Sequence, residues 1–239
     1  MPGSLVVVGL GFRAISDVTI ETRQYLVRAG RVFFLSSNFI EESWICREFP
    51  GATSLTDCYR DGEDRRFAYR RMADLVIGSV REGFDVCMAL YGHPGLCCIP
   101  GHLAIAAANA EGLLARMLPG ISAIDWLVAD LKIDIATSGF QSYGATDLVE
   151  RQPAINPKAY LIIWQAFITG EHTYQIEFRP SKFTELRMFL LKIYSPNHLL
   201  TIYEAAVHSL ASPSIEYVEL SELTPDLLTT AKTLVLPPS

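Results

Sequence analysis

Leu5-Val6-Val7-Val8-Gly9-Leu10-Gly11 is the stretch on which the fold class turns. A continuous apolar run ending in glycines predicts a strand buried on both faces that feeds a tight turn, as in a parallel sheet. Moving outward, Val32 to Leu35, Val86 to Leu90 and Leu113 to Met117 repeat the pattern. Helical segments lie between them. Asp17 and Thr19 can cap a helix carrying Glu21, Tyr25 and Leu26, ended by Gly30. Glu63 to Glu82 sets Phe67, Met72, Leu75, Val76 and Val80 at helical spacing. Leu103 to Ala110 is an Ala-rich helix, and Ser122 can cap another that runs to about Leu131. The polar, aromatic stretch from the second strand to about residue 60 shows no clear period. Strand–helix alternation predicts an α/β lobe with a parallel sheet over residues 1–135.

Beyond about residue 135 the character changes. Tyr160 to Trp164, Leu199 to Tyr203, Ile215 to Leu220 and Thr233 to Leu236 are expected strands, and Lys182 to Tyr194 one long helix. Residues 136–239 are therefore expected to form a second, α+β lobe. At 239 residues the chain suits one large domain or two small ones, at roughly 150 residues per domain.

Half of the residues are apolar and 19% are charged, enough for a real core. A net charge of -6 without a basic block argues against nucleic-acid binding, which needs clustered Lys and Arg on phosphates. No apolar run approaches the ~18 residues of a membrane span. Met1-Pro2-Gly3-Ser4 shows no basic n-region before the first strand, so no targeting segment is expected. Five cysteines, with no C-x-x-C pair, suggest free thiols in a reducing cytoplasm. The five His stand apart from them, so no metal site is expected.

Gly9-Leu10-Gly11-Phe12-Arg13-Ala14 fits the dinucleotide pattern G-x-G-x-x-A. In that motif the helix opens inside the glycine turn and an acidic residue follows about 20 positions on. Here Ser16-Asp17-Val18-Thr19 puts the helix later, and the second strand ends in Leu35-Ser36-Ser37-Asn38. Nicotinamide binding is disfavoured; glycines that simply let the chain turn are the plainer alternative.

Three segments taken together carry a resemblance: the strand and Gly-Leu-Gly at 5–11, Tyr91-Gly92-His93-Pro94-Gly95, and Pro119-Gly120-Ile121-Ser122-Ala123. Their order and spacing resemble the tetrapyrrole methylase superfamily. The fuller likeness is to the borosin enzymes, which N-methylate peptide backbones. It is carried by Arg116 to Ala123, Ala129-Asp130-Leu131-Lys132-Ile133-Asp134, Tyr143-Gly144-Ala145-Thr146-Asp147, Trp164-Gln165 and Ile202-Tyr203-Glu204-Ala205-Ala206. The resemblance implies a class III methyltransferase of two lobes, with S-adenosylmethionine in a cleft between them and S-adenosylhomocysteine as product. Carried over by position, the cofactor contacts are Tyr91, His93, Leu96, Ser122, Ala123, Gln165, Tyr203 and Ala205. Glycines around His93 let backbone approach the methionine moiety, and Ser122 and Ala123 at a helix start can offer free N–H groups to its carboxylate.

Fold does not decide the substrate. The discriminating stretch is Tyr59-Arg60-Asp61-Gly62-Glu63-Asp64-Arg65-Arg66-Phe67-Ala68-Tyr69. Arg65 and Tyr69 are four apart and share a helix face. In the borosin pattern an Arg-x-x-x-Tyr pair, an upstream Tyr and the residue matching Tyr91 line the active site. An amide nitrogen is a poor nucleophile, so its proton must leave or its imidate form be stabilised. A nearby guanidinium lowers a tyrosine pKa from about 10. We expect Tyr59 as base, Arg65 and Tyr69 on the imidate oxygen, and Tyr91 orienting amide or donor. Arg60, Arg65, Arg66, Arg70 and Arg71 also leave two alternatives open: a solvated basic face, or a carboxylate-binding site for a tetrapyrrole or other small molecule.

The resemblance further implies a homodimer, with the aromatic segment Phe39 to Phe49, including Trp44, either at the interface or in the core. Some borosin enzymes carry their substrate as a C-terminal extension. After the final expected strand this sequence reads Pro237-Pro238-Ser239, so a separate precursor peptide is expected, two per dimer.

Overall fold

The computed structural model describes residues 3–13, 15–177 and 181–239. Ala14 of the dinucleotide-like pattern and Met1-Pro2 of the amino-terminal reading lie outside the described residues. The chain is an α/β protein with two five-stranded sheets. It forms two compact units, Met1–Asp125 with Val207–Leu210, and Trp126–Ala206 with Ala211–Ser239.

The first unit contains β1 (Ser4–Gly9), α1 (Ile20–Arg28), β2 (Arg31–Leu35), α2 (Phe39–Glu48), β3 (Thr53–Ser54), α3 (Arg65–Arg81), β4 (Val86–Leu90), α4 (Ile99–Ala110) and β5 (Leu114–Met117). The strand order is β3-β2-β4-β1-β5 and every pairing is parallel. Strand periodicity explains the unbroken apolar runs. Leu5, Val7, Phe33, Leu35, Met88 and Leu90 face Met72, Val76 and Val80 of α3 and Ala104 of α4. Their neighbours Val6, Val8, Val32, Phe34, Cys87 and Ala89 face Leu26 of α1 and Trp44 and Ile45 of α2. Burying such side chains contributes roughly 1.5–3 kcal/mol each before entropy is counted.

Local chemistry sets the helix starts. The Thr19 hydroxyl accepts from the Thr22 N–H at 3.0 Å, the Asn38 side chain from Glu41 at 3.0 Å, and the Asp64 carboxylate from Arg66 at 2.8 Å. The helix expected from Glu63 therefore begins after the Asp64 cap. The one expected to be capped by Asp17 or Thr19 is capped by Thr19. The stretch before residue 60 contains a ten-residue helix, α2, that its unperiodic sequence FIEESWICRE did not signal. Trp44 of that helix is core, packed edge-on against Phe49 with ring centroids 5.8 Å apart, whereas Phe39 is exposed.

The second unit carries most of α5 (Ala123–Leu131), then α6 (Ile135–Ser138), β6 (Phe140–Gly144), α7 (Ala145–Arg151), β7 (Tyr160–Trp164), α8 (Phe183–Leu191), β8 (Leu199–Glu204), β9 (Ser214–Glu219) and β10 (Thr233–Leu236). The order is β6-β7-β10-β8-β9; β6 and β7 are parallel and the other pairings antiparallel. Leu161, Ile163, Ile202 and Leu234 pack on Leu148 of α7 and Phe183, Leu186 and Leu190 of α8. Helix α8 is shorter than expected. It ends at Leu191, and Pro196 disfavours helical geometry at Ser195.

Candidate active site

The parallel sheet presents its strand ends at one edge. From β1 the chain crosses over β4 to reach β2; from β4 it crosses over β1 to reach β5. The connections thus leave in opposite directions between β1 and β4. Open α/β sheets bind ligands at such a switch, beyond the carboxyl ends of the strands.

The three glycine loops meet there. The Gly92 N–H donates to the Gly11 carbonyl at 2.6 Å, and the Gly11 N–H to the Gly92 carbonyl at 3.3 Å. A Cβ on Gly9 would lie 2.5 Å from the Gly92 oxygen and 2.7 Å from the Gly120 Cα. One on Gly120 would lie 2.6 Å from the same oxygen. Backbone touches backbone, so no side chain fits between the loops. The outer side of Gly92, held at φ +67, is open: a Cβ there would meet nothing within 4 Å. The Gly95 N–H donates to His93 Nδ1 at 2.9 Å, which leaves the neutral ring its proton on Nε2. The Leu96 N–H donates to the His93 carbonyl at 3.0 Å and its side chain is exposed.

Ser122 departs from expectation in one respect. Its N–H and hydroxyl both donate to Asp125 Oδ2, at 2.7 and 2.6 Å. The start of α5 is closed on itself at Ser122, so that N–H is not free for a carboxylate.

Tyr59, Arg65, Tyr69 and Tyr91 come together in the first unit. Tyr59 follows a 3-10 turn at Thr56–Cys58, and Arg65 and Tyr69 stand one turn apart on α3. The Tyr59 and Tyr69 rings meet edge-to-face, centroids 6.2 Å apart. The Tyr69 oxygen accepts a hydrogen bond from Arg65 and shares another with the Tyr59 hydroxyl. Burial raises the Tyr69 pKa above the usual phenol range, against Arg65 and these hydrogen bonds. For Tyr59 burial raises it much further, Tyr69, Tyr91 and Cys98 add to the rise, and Arg65 opposes least of all. Tyr91 is likewise raised, chiefly by burial. The guanidinium was expected to hold the Tyr59 pKa down; burial outweighs it, and Arg65 acts more on Tyr69.

Two other arginines of the stretch are paired. Arg66 grips Asp64, Oδ2 at 2.5 Å, and Arg71 pairs with Glu63 while donating to the Cys58 carbonyl.

Three neighbours were not singled out as site groups from sequence. Cys98, at the N-cap position of α4, acts electrostatically on Tyr59, Tyr69 and Tyr91; burial pushes its own pKa up to about 12. Asp17 accepts from the Phe12 and Arg13 N–H groups at 3.0 and 2.8 Å and so clamps the first glycine loop. Glu41 is fully buried on α2. Capping residues look like any other polar residue in a sequence, and no local pattern marks these.

Gln165, Tyr203 and Ala205 lie in the second unit. Gln165 follows β7 in the left-handed region, φ +57, a conformation that costs a non-glycine residue about 1 kcal/mol or more. Tyr203 is buried on β8 and its hydroxyl donates to Asp130 Oδ2 of α5 at 2.7 Å. Ala205 is buried just beyond β8.

The chain is similar to the methyltransferase/ribosomally synthesized cyclic peptide dendrothelin A precursor of Dendrothele bispora, 36% identical over 93% of this chain and 54% of the relative. It is 34% identical to the methyltransferase/ribosomally synthesized type I borosin cyclic peptide precursor of Serendipita vermifera subsp. bescii, over 99% of this chain and 59% of the relative. The chain thus spans about half the length of the curated relatives it matches. Among solved structures it superposes on the methyltransferase CobJ with a TM-score of 0.68 at 18% identity, covering 99% of this chain and 95% of that one. Uroporphyrin-III-C-methyltransferase from Thermus thermophilus gives the same TM-score and identity, covering 100% and 93%. These two likenesses concern the fold. The family of tetrapyrrole (corrin/porphyrin) methylases matches residues 4–206, and the chain belongs to that family.

Proposed function

We propose that the chain is an S-adenosylmethionine-dependent α-N-methyltransferase that acts on backbone amides of a ribosomally made precursor peptide, itself a separate chain. The observation that carries this reading is the Tyr59–Tyr69–Arg65 group with Tyr91 beside it. The relatives' names, which couple a methyltransferase to a cyclic-peptide precursor in one protein, support the peptide substrate.

The backbone-only junction and the open space beside Gly92 suit a bulky cofactor at the switch point. Tyr91, His93, Leu96, Ser122 and Ala123 of the first unit and Gln165, Tyr203 and Ala205 of the second are the proposed contacts. S-adenosylmethionine supplies an electrophilic methyl group and a positive charge. The residues do the rest. The Tyr69 oxygen, which accepts from Arg65, is better placed than the Tyr59 oxygen, on which Arg65 acts least, to take the amide proton. Such general-base help is worth ~10²–10⁴ in rate. Arg65 stabilises the negative charge that develops on the tyrosine or the imidate oxygen. Tyr91 orients the amide. A nearby cofactor charge opposes the burial that holds these phenols protonated.

The small-molecule alternative needs arginines available to substrate carboxylates. Arg66 and Arg71 are engaged with Asp64 and Glu63, which withdraws two of the five candidate arginines from such a site. The test is incubation with S-adenosylmethionine and a candidate precursor, followed by fragmentation mass spectrometry. Methyl groups on backbone nitrogens of the peptide are expected. Methyl groups on side chains alone, or turnover of uroporphyrinogen instead of peptide, would overturn the proposal. We also propose a homodimer, for which exposed Phe39 is a better contact than buried Trp44; a monomer mass by light scattering would refute it.

A further inference from the structure

Glu41 has no part in the chemistry proposed above, yet its setting is unusual. Its side chain is fully buried. Oε2 accepts from the Ser37 N–H at 2.9 Å, and the Glu41 N–H donates to the Asn38 side chain at 3.0 Å. This reciprocal cap fixes the turn between β2 and α2. Oε1 is buried with no hydrogen-bond partner among the described residues.

The groups facing it come from three elements. On its own side stand the Ser37 N–H and the Asn38 cap. From the loop after β1, the buried Asp17 carboxylate acts on it with like charge. From the turn after β4, Tyr91 feels its charge in turn. All three elements lie at the carboxyl edge of the parallel sheet. They are also joined to one another. The Tyr91 N–H donates to the Leu35 carbonyl at the end of β2, the Gly11 and Gly92 backbones are bridged, and Asp17 clamps residues 12 and 13.

An unpartnered, ionised oxygen in this place lacks both solvent and a donor, and lies near a second carboxylate. Leaving a buried acceptor of this kind unsatisfied is costly even when neutral, and more so when charged. The neutral acid avoids the larger cost and keeps the Ser37 contact.

We propose that Glu41 is a positioning residue that acts through its proton: neutral, it holds the loops at 10–13, 36–38 and 91–93 in register, and ionised, it loosens them. Its setting pushes the carboxyl up to about 7, through burial first, with Asp17 adding and the Ser37 N–H opposing. The change therefore falls in the range of ordinary cellular pH. The consequence for cofactor affinity rests on the function proposed above; the consequence for the loops does not.

The test is hydrogen exchange of the whole chain at a series of pH values, corrected for the intrinsic rise of exchange with pH. In the wild type, residues 36–41 and 10–13 are expected to lose protection several-fold as pH passes about 7. In Glu41→Gln, which cannot ionise, they are expected to stay flat. A flat wild type, or the same fall in both proteins, overturns the proposal. Carbon NMR of the wild type provides a check that needs no variant: a Glu41 carboxyl titrating in the ordinary carboxylate range also overturns it. Calorimetry with S-adenosylhomocysteine separates the two ideas. Affinity that weakens several-fold above about pH 7 in the wild type and not in Glu41→Gln supports both. No binding by either protein at any pH refutes the proposed function, and loop exchange then decides on Glu41. Equal, pH-independent binding by both refutes the link from Glu41 to the cofactor.

Discussion

The glycine junction and the tyrosine cluster lie in the same unit and are built in opposite ways. At the junction, Gly9, Gly92 and Gly120 bring three loops together by having no side chains, and backbone contact does the work. In the cluster, Tyr59, Tyr69, Tyr91 and Arg65 act through side chains whose properties come from surroundings that neither loop nor helix supplies alone. The first is a matter of shape, and any added atom disturbs it. The second is a balance between burial, which disfavours the charged phenolate, and one guanidinium, which favours it. A junction of the first kind fails by losing its fold; a cluster of the second kind fails by losing its chemistry while the fold remains.

The sharpest way to break that contrast is in the cluster. Tyr69→Phe and Arg65→Ala are each expected to lower turnover by ~10²–10⁴, with little change in melting temperature. Tyr59→Phe removes the hydroxyl that shares a hydrogen bond with Tyr69 and is expected to lower turnover less than Tyr69→Phe does. Single-turnover measurements on the three variants check the order. If Tyr59→Phe is the most damaging, the base is Tyr59 and the hydrogen-bond argument for Tyr69 is wrong.

The junction is tested by Gly120→Ala. Its Cβ would sit 2.6 Å from the Gly92 carbonyl oxygen, on backbone that has little room to move. A loss of about 3 kcal/mol or more in urea unfolding is expected, with turnover falling alongside. Wild-type stability in this variant would mean that the loops are not packed as described.

Glu41 gives a smaller effect with a definite sign. Its folded pKa is raised from 4.5 to about 7, so between those values the folded state holds more protons than the unfolded one. Stability from this group is fully present below about pH 4.5 and is lost as pH rises to about 7. The loss is on the order of 2–3 kcal/mol. Unfolding of Glu41→Gln is expected to lack that downward slope. A parallel pH dependence in the two proteins would show that Glu41 is ionised in the fold. The smallest effect is expected from exhaustive chelation, which should leave turnover unchanged; a requirement for added divalent metal would count against the proposed chemistry.

How much of this was legible beforehand varied by element. Strands β1, β2 and β4 stood out because a parallel strand buried on both faces must be apolar at nearly every position; β5, at the edge and partly exposed, was marked by the Pro119-Gly120 that follows it. Helix α3 stood out because its buried side repeats with the helical period, although it starts after the Asp64 cap rather than at Glu63. Helix α2 did not, because Phe39 is exposed while Glu41 is buried, which inverts the pattern that reveals a helix. Strand β3 is two residues long, and Phe140-Gln141-Ser142-Tyr143-Gly144 of β6 has too little apolar alternation to be noticed.

The sequence by itself determined the parallel sheet and the three glycine loops, and its family resemblance implied that Tyr59, Arg65, Tyr69 and Tyr91 belong together. Each of these rests on short-range pattern or on the order of motifs along the chain. Only the tertiary structure decided that the three glycines touch, that Asp125 takes the Ser122 N–H, that Glu41 is buried beside Asp17 and that burial outweighs Arg65 at Tyr59. Contacts and proton affinities of this kind depend on which residues far apart in the chain displace water from one another, and that is set when the sheet and its helices pack.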